Sequence, residues 1–185
     1  EFKSGKKIFD WKVPQEWSVS EAWVKNEKGK KIINFKNNNL HIIAYSKSIN
    51  KLVTEKELKK NLFSDPKKPN AIPYVTSYYK KRWGFCVAEN FKKKIKKGNY
   101  RVFINSRFFK GSMSYGEIYL PGKSKKEIFL STYICHPSMG NNEISGPTVT
   151  IHIAKWLAQQ KERNYSYRIV FVPETIGSIA YIHKN

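Results

Sequence analysis

Cysteine is nearly absent from this 185-residue sequence, with only Cys86 and Cys135. Two thiols cannot build a disulfide framework or a four-ligand zinc knuckle, so the chain has to rely on a packed core. Both lie in apolar stretches, where cysteine acts as a small hydrophobe, and free thiols are expected. Long hydrophobic runs are missing too. No stretch approaches the roughly 18 apolar residues that span a bilayer. Nor is there a basic-then-apolar leader with a small-residue cleavage site, so a cytoplasmic protein is expected. The chain opens with Glu1-Phe2 rather than Met, and its natural start is expected to be missing.

Negative charge is also scarce. Against 14 acidic residues stand 35 basic ones, for a formal net charge of +21. Such a field favours nucleic acid, anionic membranes or acidic polymers. Yet arginine, whose planar fork reads bases and phosphates in two-point fashion, occurs only at Arg82, Arg101, Arg107, Arg163 and Arg168. The rest is lysine in short solvated runs such as Lys92-Lys93-Lys94, alongside abundant asparagine. That is a Lys/Asn bias of the whole chain, and it argues against specific nucleic-acid binding.

What is present is a large apolar and aromatic share, 40% and 15% of residues, enough for a substantial core. Residues 1 to 38 are polar, with Phe9, Trp11, Trp17 and Trp23 as anchors. Leu40 to Tyr45 (LHIIAY) fits a short buried strand. Thr54 followed by Glu57, Leu58 and Leu62 predicts a capped helix that Ser64-Asp65-Pro66 stops. Residues 69 to 126 read as β-rich, with extended segments at Tyr74 to Tyr79, Tyr100 to Asn105 and Gly111 to Leu120. The expected division is an α/β frame at 1–45 and 127–185 with a small β-rich subdomain inserted at 46–126.

The last third changes character. Glu127 to Ile134 (EIFLSTYI) is a nearly continuous apolar run, the mark of a strand covered on both faces. A loop then carries Asn141 and Asn142, with Pro147 suited to the first turn of a helix. From Thr148 to about Lys161, Val149, Ile153, Trp156 and Leu157 form one helical stripe. Tyr167 to Val172 (YRIVFV) is a second buried strand. Strand, helix, strand at this spacing predicts a parallel pair with a right-handed crossover.

In open parallel sheets, sites form beyond the carboxyl ends of the strands. His136 follows the first strand, Glu174 follows the second, and Asn142 lies in the connecting loop. An imidazole, a carboxylate and an amide oxygen should therefore meet at one edge. Imidazole and oxygen donors suit zinc, which polarises a carbonyl while a carboxylate acts as base. Ordinary roles fit the same residues: a loop histidine bonded to a carbonyl, a helix-capping glutamate, and a loop or capping asparagine. His41 is expected in a strand, His152 half-buried on the helix, and His183 near the chain end.

Cys135 to Pro147 reads CHPSMGNNEISGP, and Tyr167 to Ile179 reads YRIVFVPETIGSI. Upstream stand DWKVPQEW from Asp10, Ile72-Pro73-Tyr74, Ser77-Tyr78-Tyr79 and Trp83-Gly84-Phe85-Cys86. Together these resemble a bacterial family of polysaccharide-biosynthesis proteins with an aminopeptidase-like domain, over nearly the whole chain. That family is similar to zinc aminopeptidases of the phosphorylase/hydrolase-like fold. The resemblance implies a zinc site with His136 as a ligand, Asn142 at the bridging position before Ser145-Gly146, and Glu174 as the general base. It also puts Ser138 where an aspartate orients the histidine. Two departures stand out: Asn142 is neutral where a bridging carboxylate is expected, and Thr175 replaces a second glutamate. The resemblance implies a truncated chain, a peptide-like or amide substrate for the complete protein, and little activity for this chain alone. A non-catalytic binding or scaffold role in surface-polysaccharide assembly is the alternative. An exposed sheet edge is expected to be covered by self-association or by a missing C-terminal part.

Overall fold

The structure, a computed structural model, describes residues 1–136 and 140–185. Ser138, matched above to an orienting aspartate, lies outside the described residues. In chain order the first strands are β1 Phe2–Lys3, β2 Lys7–Ile8, β3 Trp11–Lys12, β4 Glu16–Lys25, β5 Lys31–Asn34 and β6 Ile49–Thr54. Next come α1 Glu55–Lys60, β7 Leu62–Phe63, β8 Phe85–Cys86, α2 Glu89–Lys93 and β9 Asn99–Phe109. The remainder is β10 Ser112–Met113, β11 Gly116–Leu120, β12 Ser124–Tyr133, α3 Gly140–Gln159, β13 Tyr165–Val172 and α4 Ile176–Lys184.

The architecture is mixed α/β, in two compact units: Glu1–Gln15 with Lys110–Asn185, and Glu16–Phe109. These bounds differ from the expected 46–126 insertion. The reason is long-range pairing: β4 runs antiparallel to β9 from Glu16↔Phe109 to Lys25↔Arg101. Trp17 and Trp23 thus stand on a central strand of the inner unit, while Trp11, β10 and β11 belong to the outer one.

The inner unit is a four-stranded antiparallel sheet in the order β5-β4-β9-β6. Alternation puts Ala22, Val24, Val102 and Ile104 into the core with Val53, Leu58 and Phe85. On the opposite face Trp23 stacks on Phe103, and Lys25 and Lys31 lie over the Trp23 ring. The helix signal at Thr54 is realised in α1: Thr54 Oγ1 accepts from Glu57 N–H at 3.3 Å and Leu58 is buried. Leu62 leaves the helix and enters β7. Leu40 to Tyr45 is not a strand. Asn38 Oδ1 accepts from Leu40 N–H at 2.9 Å and closes a 3₁₀ turn over Asn39–His41. His41 Nδ1 lies 2.8 Å from the Cys86 carbonyl oxygen, and Tyr45 adopts φ 63°. Tyr74 to Tyr79 contributes only an isolated bridge, Ala44↔Thr76.

Cys86 is fully buried, and that burial pushes its thiol up to about 12. At pH 8 roughly one molecule in ten thousand carries the reactive thiolate. Iodoacetamide should therefore leave Cys86 unlabelled in the native chain and label it fully in denaturant, as read by peptide mass spectrometry. Rapid native labelling would contradict its place in the core.

The outer unit is built on a three-stranded sheet in the order β11-β13-β12. β13 is central: β12 pairs with it in parallel, from Ile128↔Tyr167 to Tyr133↔Val172, and β11 in antiparallel. Among the described residues β11 and β12 are therefore both edge strands, and β13 is paired on each side. Arg168 on β13 ties the three strands together, with both Glu127 oxygens at 2.7 and 2.8 Å and Glu117 at 2.6 Å. β12 is not covered on both faces as its composition predicts. Phe129 is 53% exposed, and Ile128 and Ile134 also face solvent.

α3 begins at Gly140, well before the predicted Thr148, and carries Pro147 inside it. Its buried positions are Ala154 and Leu157, packed on Ile169. Val149, Ile153 and Trp156 of the predicted stripe are exposed, and so is His152. The N-terminal residues Phe2, Ile8 and Val13 pack with Ala180 of α4, and the exposed His183 ring meets Phe9 edge-on. Among the described residues no helix is long and apolar enough to cross a membrane.

Candidate metal and acid–base site

Parallel pairing of β12 and β13 sends both chains out of the same end of the sheet. The ladder is extended beyond β12, where Ile134 N–H donates to the Val172 carbonyl at 2.9 Å. Cys135 and His136 follow directly, while Pro173 and Glu174 follow Val172. The consequence is a close approach: His136 Nε2 lies 3.0 Å from Glu174 Oε2. The His136 side chain is 16% exposed and that of Glu174 52%, so the pair opens to solvent on the carboxylate side.

Cys135 completes the cluster. Its sulfur, a His136 ring nitrogen and a Glu174 oxygen all lie within 4.8 Å of one another. A second carboxylate supports it from behind. Glu143, in the first turn of α3, accepts from Cys135 N–H at 2.7 Å, with its other oxygen 3.7 Å from the sulfur. Partial burial, joined by the negative fields of Glu143 and Glu174, pushes the Cys135 thiol up against a backbone hydrogen bond at Glu174.

Gly146 sets the distance between α3 and the sheet. A Cβ at this position would sit 2.5 Å from Thr132 Oγ1, and Thr132 is buried on β12. A glycine here lets the helix lie against β12 without displacing the Thr132 hydroxyl. Ser145 Oγ donates to the Asn141 carbonyl at 2.7 Å, a back-bond of the kind that bends helices.

The other wall is strained. Thr175 adopts φ 57° and ψ −74°, and Ile176 N–H donates to the Glu174 carbonyl at 2.6 Å across it. That is a γ-turn of the rare positive-φ kind, and a β-branched residue there is a steric outlier. The turn directs Glu174 outward and starts α4. Because Thr175 is exposed, Thr175→Gly forfeits little packing and should stabilise the chain by about 1 kcal/mol, strain relief exceeding the glycine entropy cost. A lowered denaturation midpoint in that variant would show the turn to be unstrained.

Of the three sequence-predicted site residues, the structure brings His136 and Glu174 together, and Asn142 stands on α3. Asn142 is exposed in the first turn of α3, with no hydrogen bond to either among the described residues. The expected loop around Asn142 is already helical, because α3 starts at Gly140, and Glu143 on that turn reaches Cys135. Sequence reasoning missed Glu143 and the donor role open to Cys135. The available signal was the pairing of Cys135-His136 with an acidic residue seven or eight positions on. The chemistry of the set suits a divalent ion, since sulfur, imidazole nitrogen and carboxylate oxygen are all zinc donors.

Comparison with known proteins gives a consistent result. A Clostridium acetobutylicum protein, named provisionally for polysaccharide biosynthesis and an aminopeptidase-like domain, is 48% identical over 185 residues. The match covers 100% of this chain and 42% of that protein. A crystal structure from Clostridium acetobutylicum, named provisionally as a peptidase, superposes with a TM-score of 0.91 at 47% identity. It covers 100% of this chain and 43% of the other. The chain thus spans less than half the length of these relatives. The sequence pattern of DUF4910, a domain of unknown function, matches residues 1–185, and the chain belongs to that family.

Proposed function

We propose that this chain carries part of the metal and acid–base edge of an aminopeptidase-like hydrolase. In this reading the sheet is part of the phosphorylase/hydrolase-like fold of the zinc aminopeptidases. The complete protein would act on an amide-type bond in a peptide-like or small-molecule substrate. The observation that carries the reading is the convergence of Cys135, His136 and Glu174 within 4.8 Å at the carboxyl ends of two parallel strands. The names of the relatives, aminopeptidase-like domain and peptidase, support it.

His136 and Cys135 would hold a zinc ion. When bound, zinc supplies polarisation of the scissile carbonyl. Glu174 is the general base. Its outward, solvent-open carboxylate takes a proton from the attacking water and returns it to the leaving nitrogen. Glu143 positions Cys135 through the backbone bond without touching substrate.

A second reading has its own support. His136 and Glu174 satisfy each other at 3.0 Å, and Asn142 and Thr175 are neutral where zinc aminopeptidases are expected to carry acids. That pattern suits a binding or scaffold role in surface-polysaccharide biosynthesis. Zinc titration by calorimetry separates the two. The hydrolase reading requires one ion per chain at micromolar affinity or tighter, roughly −8 kcal/mol. No heat of binding at micromolar zinc would leave the scaffold reading.

A further inference from the structure

The inner unit contains a cavity of about 350 Å³, far in sequence from the Cys135–His136–Glu174 cluster. Its floor is apolar: Ile32 and Phe91 are partly buried against the core, while Ile95 and Tyr100 are buried in it. Its rim is basic. Lys28, Lys94, Lys96 and Lys97 line it, all exposed, and among the described residues none takes part in an ion pair. The carboxylate of the lining, Glu27, is engaged by the backbone, accepting from Asn99 N–H at 2.8 Å. The loop is held in shape, with Tyr100 Oη donating to the Lys96 carbonyl at 2.8 Å and Glu55 N–H to the Gly98 carbonyl at 2.9 Å.

Four ammonium groups around one opening, none in an ion pair among the described residues, repel each other. Apolar side chains left open beneath them keep surface in water that packing would otherwise remove. One class of ligand relieves both: a body of hydrocarbon or aromatic character carrying a negatively charged head. The volume is at the small end of ligand pockets. We propose that this cavity binds a small amphipathic anion, a phosphate monoester or carboxylate, with its apolar body on Ile32, Phe91, Ile95 and Tyr100. The head lies among Lys28, Lys94, Lys96 and Lys97. The site does not depend on zinc or on the His136–Glu174 pair.

The test is calorimetry of the whole chain with monomeric octyl phosphate, octyl glucoside and inorganic phosphate as separate probes. Octyl phosphate should bind one to one, about tenfold or more tighter than either of the others, since each lacks one half of the recognition. Its affinity should fall about tenfold when salt is raised or in the Lys94→Glu/Lys97→Glu variant. Both lysines are exposed, so circular dichroism of that variant should match the parent. Phe91→Ala should weaken octyl phosphate and leave inorganic phosphate unaffected. Equal affinity for the uncharged or the chain-free probe overturns the proposal, as does undiminished binding in the charge-reversed variant. Binding to phosphatidylglycerol vesicles without binding of monomeric octyl phosphate also overturns it, because the lysines would then serve a lipid surface.

Discussion

His136→Ala is expected to weaken zinc binding by at least about 100-fold, to the point where a micromolar titration shows no saturable heat. Loss of a residue that merely supports a ligand already costs 10- to 100-fold, and removing the imidazole itself takes away the only nitrogen donor of the cluster. Cys135→Ala should follow in the same direction. Glu143→Gln is the informative control. The glutamine oxygen can still accept from Cys135 N–H, so the fold should persist. The charge 3.7 Å from the sulfur is removed, and affinity should drop by about tenfold. If His136→Ala and the parent chain bind zinc equally, the ion is held by surface groups elsewhere and the assigned site is wrong. Since all of these measurements read binding, they hold whether or not this chain hydrolyses anything.

Gly122→Ala is expected to be the most damaging single methyl that can be added to the outer unit. A Cβ at this position would lie 2.1 Å from the Tyr165 carbonyl oxygen and 2.4 Å from its carbon, with the Arg163 carbonyl at 2.9 Å. These are backbone atoms at the start of β13, so no rotamer change relieves the clash. The turn linking β11 to β12 passes over this point, held by Gly122 N–H donating to Ser166 Oγ at 3.1 Å. Ser166 Oγ in turn donates to the Ser124 carbonyl at 3.0 Å. Moving the turn breaks that chain of bonds and shifts the first pairs of both ladders. A loss of about 3 kcal/mol or more is expected from overpacking and the broken buried bonds together. Chemical denaturation checks it, and a change below about 0.5 kcal/mol would show that the turn yields freely.

How much of this was legible in the sequence depended on whether the signal was local. The parallel strands and the meeting of His136 with Glu174 follow from two apolar runs separated by a helix-length segment, a short-range pattern. The true start of the inner unit was not legible, because it rests on β4 pairing with β9, from Glu16↔Phe109 to Lys25↔Arg101, partners far apart in the chain that leave no trace in local periodicity. Pro147 misled for a physical reason. Proline is at home in a helix's first turn, so it moved the predicted start of α3 to Thr148 and left Glu143 in a loop. The expected stripe through Val149, Ile153 and Trp156 failed with it. Among the described residues only Ala154 and Leu157 of α3 meet the sheet closely enough to be buried. Cys135 was read as an inert core thiol because composition cannot tell a cysteine inside a strand from one just past its end.

The placement of β13 bears on how the site comes into being. β11 and β12 are neighbours in the chain, separated by a short turn, yet they do not pair with each other; the strand that joins them is made forty residues later. Until that late segment threads into the gap, neither outer strand has a partner, and His136 has nothing opposite it. Insertion supplies the middle of the sheet and the carboxylate in one event. Assembly of the cluster therefore reports completion of the outer unit, and partial opening at β13 dismantles both at once.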